Sequence, residues 1–545
     1  MVNLRTTHIP LYAMHKPGNF LDYLARAILL LFACGGLLPA ACAQSAYLPE
    51  DVSTNPAHAF STYIPVVIKT APPSFYVAPE GNDNNPGTLA APWRTIQKAA
   101  VTATPGSTVY ARQGIYNELV SVQVSGSQEA GYITFRNYPG ETPVLDGSGL
   151  PISPEGSAAF SIVDRGYIIV QGFEIRNYRT SGKDLVPMGI SIRGSAFHIQ
   201  IRDNRIHHIE TNYPGSEGGD AHGIAVYGTS ATDAIRDLVI DGNELFSLKL
   251  GSSEALVLNG NVTGFQITRN RVHDSNNIAI DLIGFEGTAP DPAVDQARDG
   301  VVSENTVYNI DSYGNPAYGT ERSADGIYVD GGRNIVIERN TVFAADIGIE
   351  IASEHAGRAT SAIIVRNNLV YRNLVAGLAM GGYDTQRGST ENCQVLNNTF
   401  YQNDTLATGS GELMLQYNTR ENVIKNNIFN AGGQNVFLSN PFAQNSNNVL
   451  DYNLYYSPGG SEDGTWEWKT ASYDTFNSYR THTGNDLHSQ FANPLFLNTG
   501  GLNFHLGSGS PAIDRGETLP DVGALDIDNQ PRIHNVVDIG ADEAQ

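Results

Sequence analysis

The stretch "ADGIYVDGGRNIVIERNTVFAADIGIEIASEH", Ala324 to His355, carries Asp325, Asp330, Glu350 and Glu354 on two copies of one short pattern, G-I-Y-V and G-I-E-I. Carboxylates brought close together repel and raise each other's pKa unless something compensates. A hard cation such as calcium compensates by taking oxygen ligands. Two carboxyls at a suitable separation can instead cut a glycosidic bond. Arginines can also neutralise them, and Arg322, Arg333 and Arg358 stand nearby in sequence. Which chemistry is open depends on the elements that place these side chains.

Those elements repeat. "HGIAVYG" (222–228), "EALVLNG" (254–260), "IAIDLIG" (278–284), "DGIYVDG" (325–331), "IGIEIAS" (347–353), "AGLAMGG" (376–382), "GELMLQY" (411–417) and "QNVFLSN" (434–440) alternate apolar with variable residues. That is the period of strands with one buried face. Between them an asparagine returns at Asn204, Asn243, Asn270, Asn305, Asn340, Asn368, Asn398, Asn427 and Asn453, at intervals of 26 to 39 residues. So variable an interval is foreign to a rigid helical repeat. It suits stacked coils of short strands whose turns accept insertions. The fold predicted is all-β, a right-handed parallel β-helix, with the asparagines stacked in one turn.

In such a coil Ile327 and Val329 point inward, and Tyr328 and Asp330 outward. Successive coils lie about 4.8 Å apart. Asp281, Tyr328 and Glu350 then share one outward row, with Asp330 and Asn259 on the row beside it. Glu254 and Asp325 begin their strands, and Glu354 and His355 follow the end of one. The expected ligands of a calcium ion are Glu254, Asp281, Asp325, Asp330 and Glu350. Insertions on a solenoid often wall a groove. "NYPGSEGGDAHGI" (212–224) brings Asp220 and His222 to this face, and "DSYGNPAYGTERSADGI" (311–327) brings Tyr313 and Tyr318. His222, Tyr318, Tyr328 and Asn259 are the expected substrate contacts. For proton transfer the candidates are Lys249, five residues before Glu254, then Arg322 and His355, whose type titrates near neutrality. His207, His208 and His273 do not have zinc-site spacing.

Both ends differ from the middle. Residues 1–43 read as an export signal, with "YLARAILLLFACGGLLPAACAQSAY" ending in the small-x-small motif Ala41-Cys42-Ala43. Cys42 is an alternative site for a lipid anchor. Residues 44–73 read as a linker, 74–130 as an N-terminal cap with the first coils and a helix at about 93–103, 131–460 as the β-helix, and 461–545 as C-terminal coils and a cap. No second long apolar span follows the signal, so the mature chain is expected to be secreted or at the cell surface, without a transmembrane segment, and monomeric. Cys393 is the single cysteine of the body, so no internal disulfide can form there. Charged residues make up only 16% of the chain and glycine numbers 56, which excludes a coiled coil or a disordered chain. A net charge of −23 argues against nucleic acid as a partner.

The opening "FYVAPEGNDNNPGT…PWRTIQKAA" resembles the start of secreted parallel β-helix proteins of the polysaccharide lyase type, notably polysaccharide lyase family 9. The ending "NPLF…GSPAIDRG…DIDNQPR…VDIGADE" is similar to a tail found on many bacterial β-helix proteins. The resemblance covers roughly 75–545 and implies a calcium held by carboxylates, a lysine base and an acidic polysaccharide as partner. The family's lysine motif has no counterpart here, and only six lysines follow the export segment. The resulting expectation is a calcium-assisted lyase on a uronic-acid polymer. The alternatives are a glycoside hydrolase on the same fold and a non-catalytic carbohydrate-binding or adhesin solenoid. The N-T-D, G-H-G and R-I-K signatures of polygalacturonase-type hydrolases are absent, as is the D-P-H-D signature of mannuronan epimerases.

Overall fold

A computed structural model describes residues 72–545. The export segment and nearly all of the linker lie outside the described residues. From Ser74 onward the chain winds into a parallel β-helix. Each central coil crosses three faces. One coil runs through Asp325–Asp330, Arg333–Glu338 and Thr341–Ala345 before Ile347–Ala352 begins the next. In these coils each strand pairs in parallel with its counterpart one coil on, Ile327 with Ile349 and Ile335 with Ile363. Inward residues stack into a continuous aliphatic core in which Ile280, Ile327, Ile349 and Leu378 are all fully buried. Each such side chain contributes roughly 1.5–3 kcal/mol by leaving water.

The turn between the second and third faces follows from one residue pair. The residue before each ladder asparagine has a positive φ, as at Asp203 (52°), Arg269 (52°), Glu304 (59°) and Arg339 (52°). The chain therefore bends sharply, and the asparagine that follows points inward. Its Oδ1 accepts from both the backbone N–H and the Nδ2 of the asparagine one coil before. Asn305 N and Nδ2 each lie 2.9 Å from Asn340 Oδ1, and Asn340 repeats the contact to Asn368 at 2.9 and 3.0 Å. The stack runs unbroken from Asn204 to Asn453, and every buried donor in it is satisfied.

The solenoid's N-terminal end is covered by a helix, Ile96–Thr102, that buries Ile96, Ala99 and Ala100. Thr95 caps it through Lys98 N, and the Glu118 carboxylate accepts from Ile96 N and Gln97 N, both at 2.9 Å. At the other end Trp466 stacks on Phe437 at 4.6 Å beneath a second helix, Phe476–Thr483, which the sequence pattern did not indicate. After it Gln490–Phe491 adds one last parallel pairing, to Leu454 and Tyr455, and the chain then leaves the coil. It runs back along the asparagine turn, where Asn367, Asn397 and Asn426 donate to the carbonyls of Val522, Asp538 and Glu517. No helix among the described residues is long and apolar enough to cross a membrane.

Candidate functional site

The first face of the central coils carries the acids. Asp281 pairs with Tyr328, Tyr328 with Glu350, and Glu350 with Ala379, so the three outward residues form one row. Asp330 begins the next row beside Ala352, and Asp325 pairs with Ile347 at the strand start. This row is not a solvated face. Asp281 is 2% exposed, Asp325 2%, Asp330 4% and Glu350 6%, because loops from both edges of the face close over it.

Three loops do this, each held by a buried acid. Residues 311–323 are fixed by Asp346, which accepts from Ser312 N (2.9 Å), Ser312 Oγ (2.9 Å) and Ala324 N (3.0 Å). The loop reaches back over earlier coils, where Asn315 donates to the carbonyls of Gly251 and Asn276 and Tyr318 Oη accepts from Asn277. Residues 284–296 are fixed by Asp295, which accepts from Gly287 N and Ala289 N at 2.6 and 2.8 Å. Phe285, at φ +72°, turns that loop so that Glu286 meets Asn259, whose Nδ2 donates to Glu286 Oε2 at 2.6 Å. Residues 353–358 are bent by Asp330 itself, whose Oδ1 accepts from Glu354 N at 2.7 Å.

The electrostatics are those of acids kept from water. Burial pushes Glu254, Asp281, Asp325 and Asp330 well above the usual carboxylate range, and neighbouring carboxylates push them further. Burial raises Glu350 and Glu354 to about 7. Asp325 and Glu350 hydrogen-bond to each other. Gln416 donates to Glu350 Oε1 at 3.3 Å, and Tyr328 Oη donates to Glu354 Oε1 at 3.4 Å. Among the described residues, no lysine or arginine forms an ion pair with Asp281, Asp325, Asp330 or Glu350. Asp281 and Asp325 each keep a buried Oδ1 to which no amide, guanidinium or hydroxyl group donates. Oxygen-only acceptors without donors suit a hard cation.

Two of the three arginines expected to neutralise the row are engaged elsewhere, and Arg333 is exposed at the start of the second-face strand. Arg322 binds Asp311 and Asp346, and Arg358 stacks on Phe285 at 4.9 Å. Lys249 is turned to another part of the surface, donating to Asn212 Oδ1 at 3.1 Å with Glu210 at 3.8 Å. Of the three candidates for proton transfer, only His355 stands at the acids, in a group with Glu286 and Asp330. Burial lowers its pKa, which favours the neutral ring. His222 cannot face a substrate, for it is 3% exposed. Its Nδ1 donates to Glu254 O at 3.1 Å, its Nε2 accepts from Tyr227 Oη at 3.0 Å, and burial lowers it to about 4. It is a neutral support for Glu254. Tyr328 and Asn259 are buried as well, and Tyr318 is half-buried in its loop. The expected ligands Glu254, Asp281, Asp325, Asp330 and Glu350 share this face, and Asp330 is the one in a compact group of three ligand residues.

Sequence reasoning missed Glu286, Asp295, Asp346 and Gln416. The two 35-residue intervals in the asparagine ladder, from Asn270 and from Asn305, were the available signal. Each contains one of the covering loops.

Residues 188–387 and 325–464 match the right-handed β-helix region, and residues 75–223 match the Pel9A-like right-handed β-helix region. The chain belongs to the right-handed β-helix family. A particular relative is the uncharacterized protein YwoF of Bacillus subtilis (strain 168), 44% identical over 437 residues, which are 80% of this chain and 91% of YwoF. Pectate lyase PEL9 of Emericella nidulans is 31% identical over 206 residues, 37% of this chain and 48% of that lyase, so the match spans about half its length. Similar solved structures include pectate lyase Pel9A, with TM-score 0.46 and 14% identity over 87% of this chain and 96% of that one. Another is the GH136 lacto-N-biosidase of Eubacterium ramulus, with TM-score 0.47 and 16% identity over 70% of this chain and 64% of that one.

Proposed function

We propose that this protein is an extracytoplasmic polysaccharide-active enzyme that cleaves a uronic-acid-containing polymer by calcium-assisted β-elimination at the buried acid row. The observation that carries this reading is the row itself, with Asp281, Tyr328 and Glu350 on successive coils, Asp325 and Asp330 beside them, and, among the described residues, no basic side chain paired to any of the four acids. So dense a set of carboxylates repels a polyanion unless a cation stands between them. Glu254, Asp281, Asp325 and Glu350 would hold that ion, and the unpaired Oδ1 atoms of Asp281 and Asp325 suit it. When bound, calcium would neutralise the uronate carboxylate and stabilise the enolate charge that develops. The similarity to a pectate lyase over part of the chain supports the same substrate class.

The chain's own residues would move the proton. Glu354, raised to about 7, has the pKa of an efficient general base at neutral pH. Tyr328 Oη orients its Oε1, and Arg387 Nη1 donates to its carbonyl at 3.4 Å. The loops at 284–296 and 311–323 would limit water at the reacting carbon.

A glycoside hydrolase would need two carboxyls about 5–5.5 Å or 6.5–9.5 Å apart, and Asp325 and Glu350, in direct contact, stand too close to divide acid and base work in that way. A single experiment separates elimination from hydrolysis. The protein is incubated with pectate, alginate and glycosaminoglycans, with calcium and then with chelator, while ultraviolet absorbance and reducing ends are followed. A calcium-dependent rise in absorbance on one polymer supports elimination and names the sugar. New reducing ends without absorbance support hydrolysis. Neither signal on any of these polymers overturns both readings for them and leaves a binding solenoid.

A further inference from the structure

At the mouth of the acid row, ligand atoms of Glu286, Asp330 and His355 lie within 4.8 Å of one another. They come from three separate places: the 284–296 loop, the end of the Asp325–Asp330 strand, and the 353–358 bend. Asn259 adjoins Glu286. It is 3% exposed, its Nδ2 is bonded to Glu286, and its Oδ1, on the same planar amide, has no partner. His355 Nε2 is likewise buried without a partner. Two buried polar atoms are thus left unsatisfied where a carboxylate pair meets an imidazole. An unsatisfied buried polar group costs about 1–3 kcal/mol, and an ion bound between these side chains would satisfy it.

We infer that Glu286, Asp330 and His355, with the Asn259 amide oxygen, form a site for a borderline divalent transition metal such as zinc or manganese, separate from the oxygen-only row behind it. Imidazole with carboxylates selects this class of ion, whereas carboxylates and carbonyls alone suit calcium or magnesium. Zinc takes nitrogen and oxygen ligands at about 2.0–2.2 Å. Glu286 is exposed on its loop, so its side chain can rotate to close the set. Asp330 keeps its Oδ1 on Glu354 N, which fixes the carboxylate and leaves the other oxygen to the ion. Phe285 lies edge-on to the imidazole at 6.5 Å and carries Arg358 on its face, walling one side. The other cluster of this type, His505, Asp528 and Asp542, lacks that character. Both nitrogens of His505 are already engaged, by Asn503 Oδ1 at 2.6 Å and Asp528 Oδ2 at 2.8 Å, and Asp542 Oδ2 accepts from Leu506 N.

The test reads metal binding without any polysaccharide, so it does not depend on the lyase reading. Chelator-stripped protein is titrated calorimetrically with zinc and with manganese in a buffer holding excess calcium, which occupies oxygen-only sites. The expected result is one ion per chain. His355→Ala and Glu286→Gln each lower the affinity by about 10- to 100-fold or more, a range lost even when groups behind a ligand are removed. His505→Ala leaves it unchanged. Cobalt provides a second readout, since its visible absorption on the native protein disappears in His355→Ala. Glu286→Gln changes an exposed loop residue, so it stands as a test should His355→Ala fail to fold. No binding of either ion, binding that survives both substitutions, or loss in His505→Ala overturns the inference.

Discussion

Asp325 and Glu350 stand on adjacent coils and hydrogen-bond to each other out of contact with water. Two carboxyls can do this only when at least one of them holds a proton. Glu350→Gln keeps the shape and one hydrogen-bond donor but removes the exchange. The expected outcome is a loss of about 100-fold or more in kcat, with a melting temperature close to that of the native chain. Loss of the fold together with activity would instead mark the pair as structural.

The raised acids make stability depend on pH in a definite direction. Glu350 and Glu354 move from 4.5 to about 7 on folding. Between those values the folded chain holds protons that the unfolded chain has released, so stability is full below about 4.5 and falls as pH rises through 7. A shift of that size is worth roughly 3 kcal/mol for one isolated group. In chelator, the protein should melt at a higher temperature at pH 5 than at pH 8. Calcium should recover the loss at pH 8, and Glu350→Gln should flatten the slope. Equal melting temperatures at the two pH values would contradict the buried row.

Asp346 ties both ends of the 311–323 loop from a fully buried position. Replacing it with alanine leaves Ser312 N and Ala324 N without an acceptor and Arg322 with Asp311 alone. The expected cost is about 3–5 kcal/mol, as for a broken buried charge pair, read by chemical denaturation. Asp346→Asn should recover part of it.

Asn340 sits midway along the asparagine stack. Its Oδ1 accepts two donors from Asn305, and its Nδ2 serves Val302 O and Asn368 Oδ1. Asn340→Ala strands these groups inside the turn and should cost about 3 kcal/mol or more. Asn334→Ala, which removes an exposed hydrogen bond to Asp299 and puts alanine at a left-handed φ of 54°, should cost only about 1–2 kcal/mol. Equilibrium unfolding of the two variants compares them directly.

Lys249 offers a control. Its ammonium is more than half exposed and faces Glu210 and Asn212. Lys249→Ala should leave kcat/KM within about twofold of the native value, because only groups that meet the transition state alter it strongly. A hundredfold loss would return the lysine to the mechanism.

Much of the architecture was readable from particular residues. The alternation in "DGIYVDG" separates Ile327 and Val329 from Tyr328 and Asp330, and the coil respects it. The ladder asparagines were legible because each turn demands the same side chain at the same place. The row Asp281, Tyr328 and Glu350 was legible for a related reason, since parallel register carries one outward position to the next coil. Glu286 and Asp346 were not. Glu286 sits on a loop held by Asp295 and by Asn259 one coil before, and Asp346 holds a loop that reaches Asn276 and Gly251 one and two coils back, and no local period encodes either path. Lys249 misled because closeness to Glu254 in sequence says nothing about direction once the chain turns between faces.

The sequence by itself therefore determined which residues line each face, because alternation and register are properties of neighbouring residues. Tertiary structure alone decided that the acids lie buried, that no arginine among the described residues pairs with Asp281, Asp325, Asp330 or Glu350, and that His355 joins Glu286 and Asp330. Burial depends on what folds over a face, and here the cover comes from insertions, one anchored by its own Asp295 and one by Asp346 on the next coil. The pKa of a carboxylate, and with it the chemistry it can perform, follows from that cover rather than from the strand that carries it.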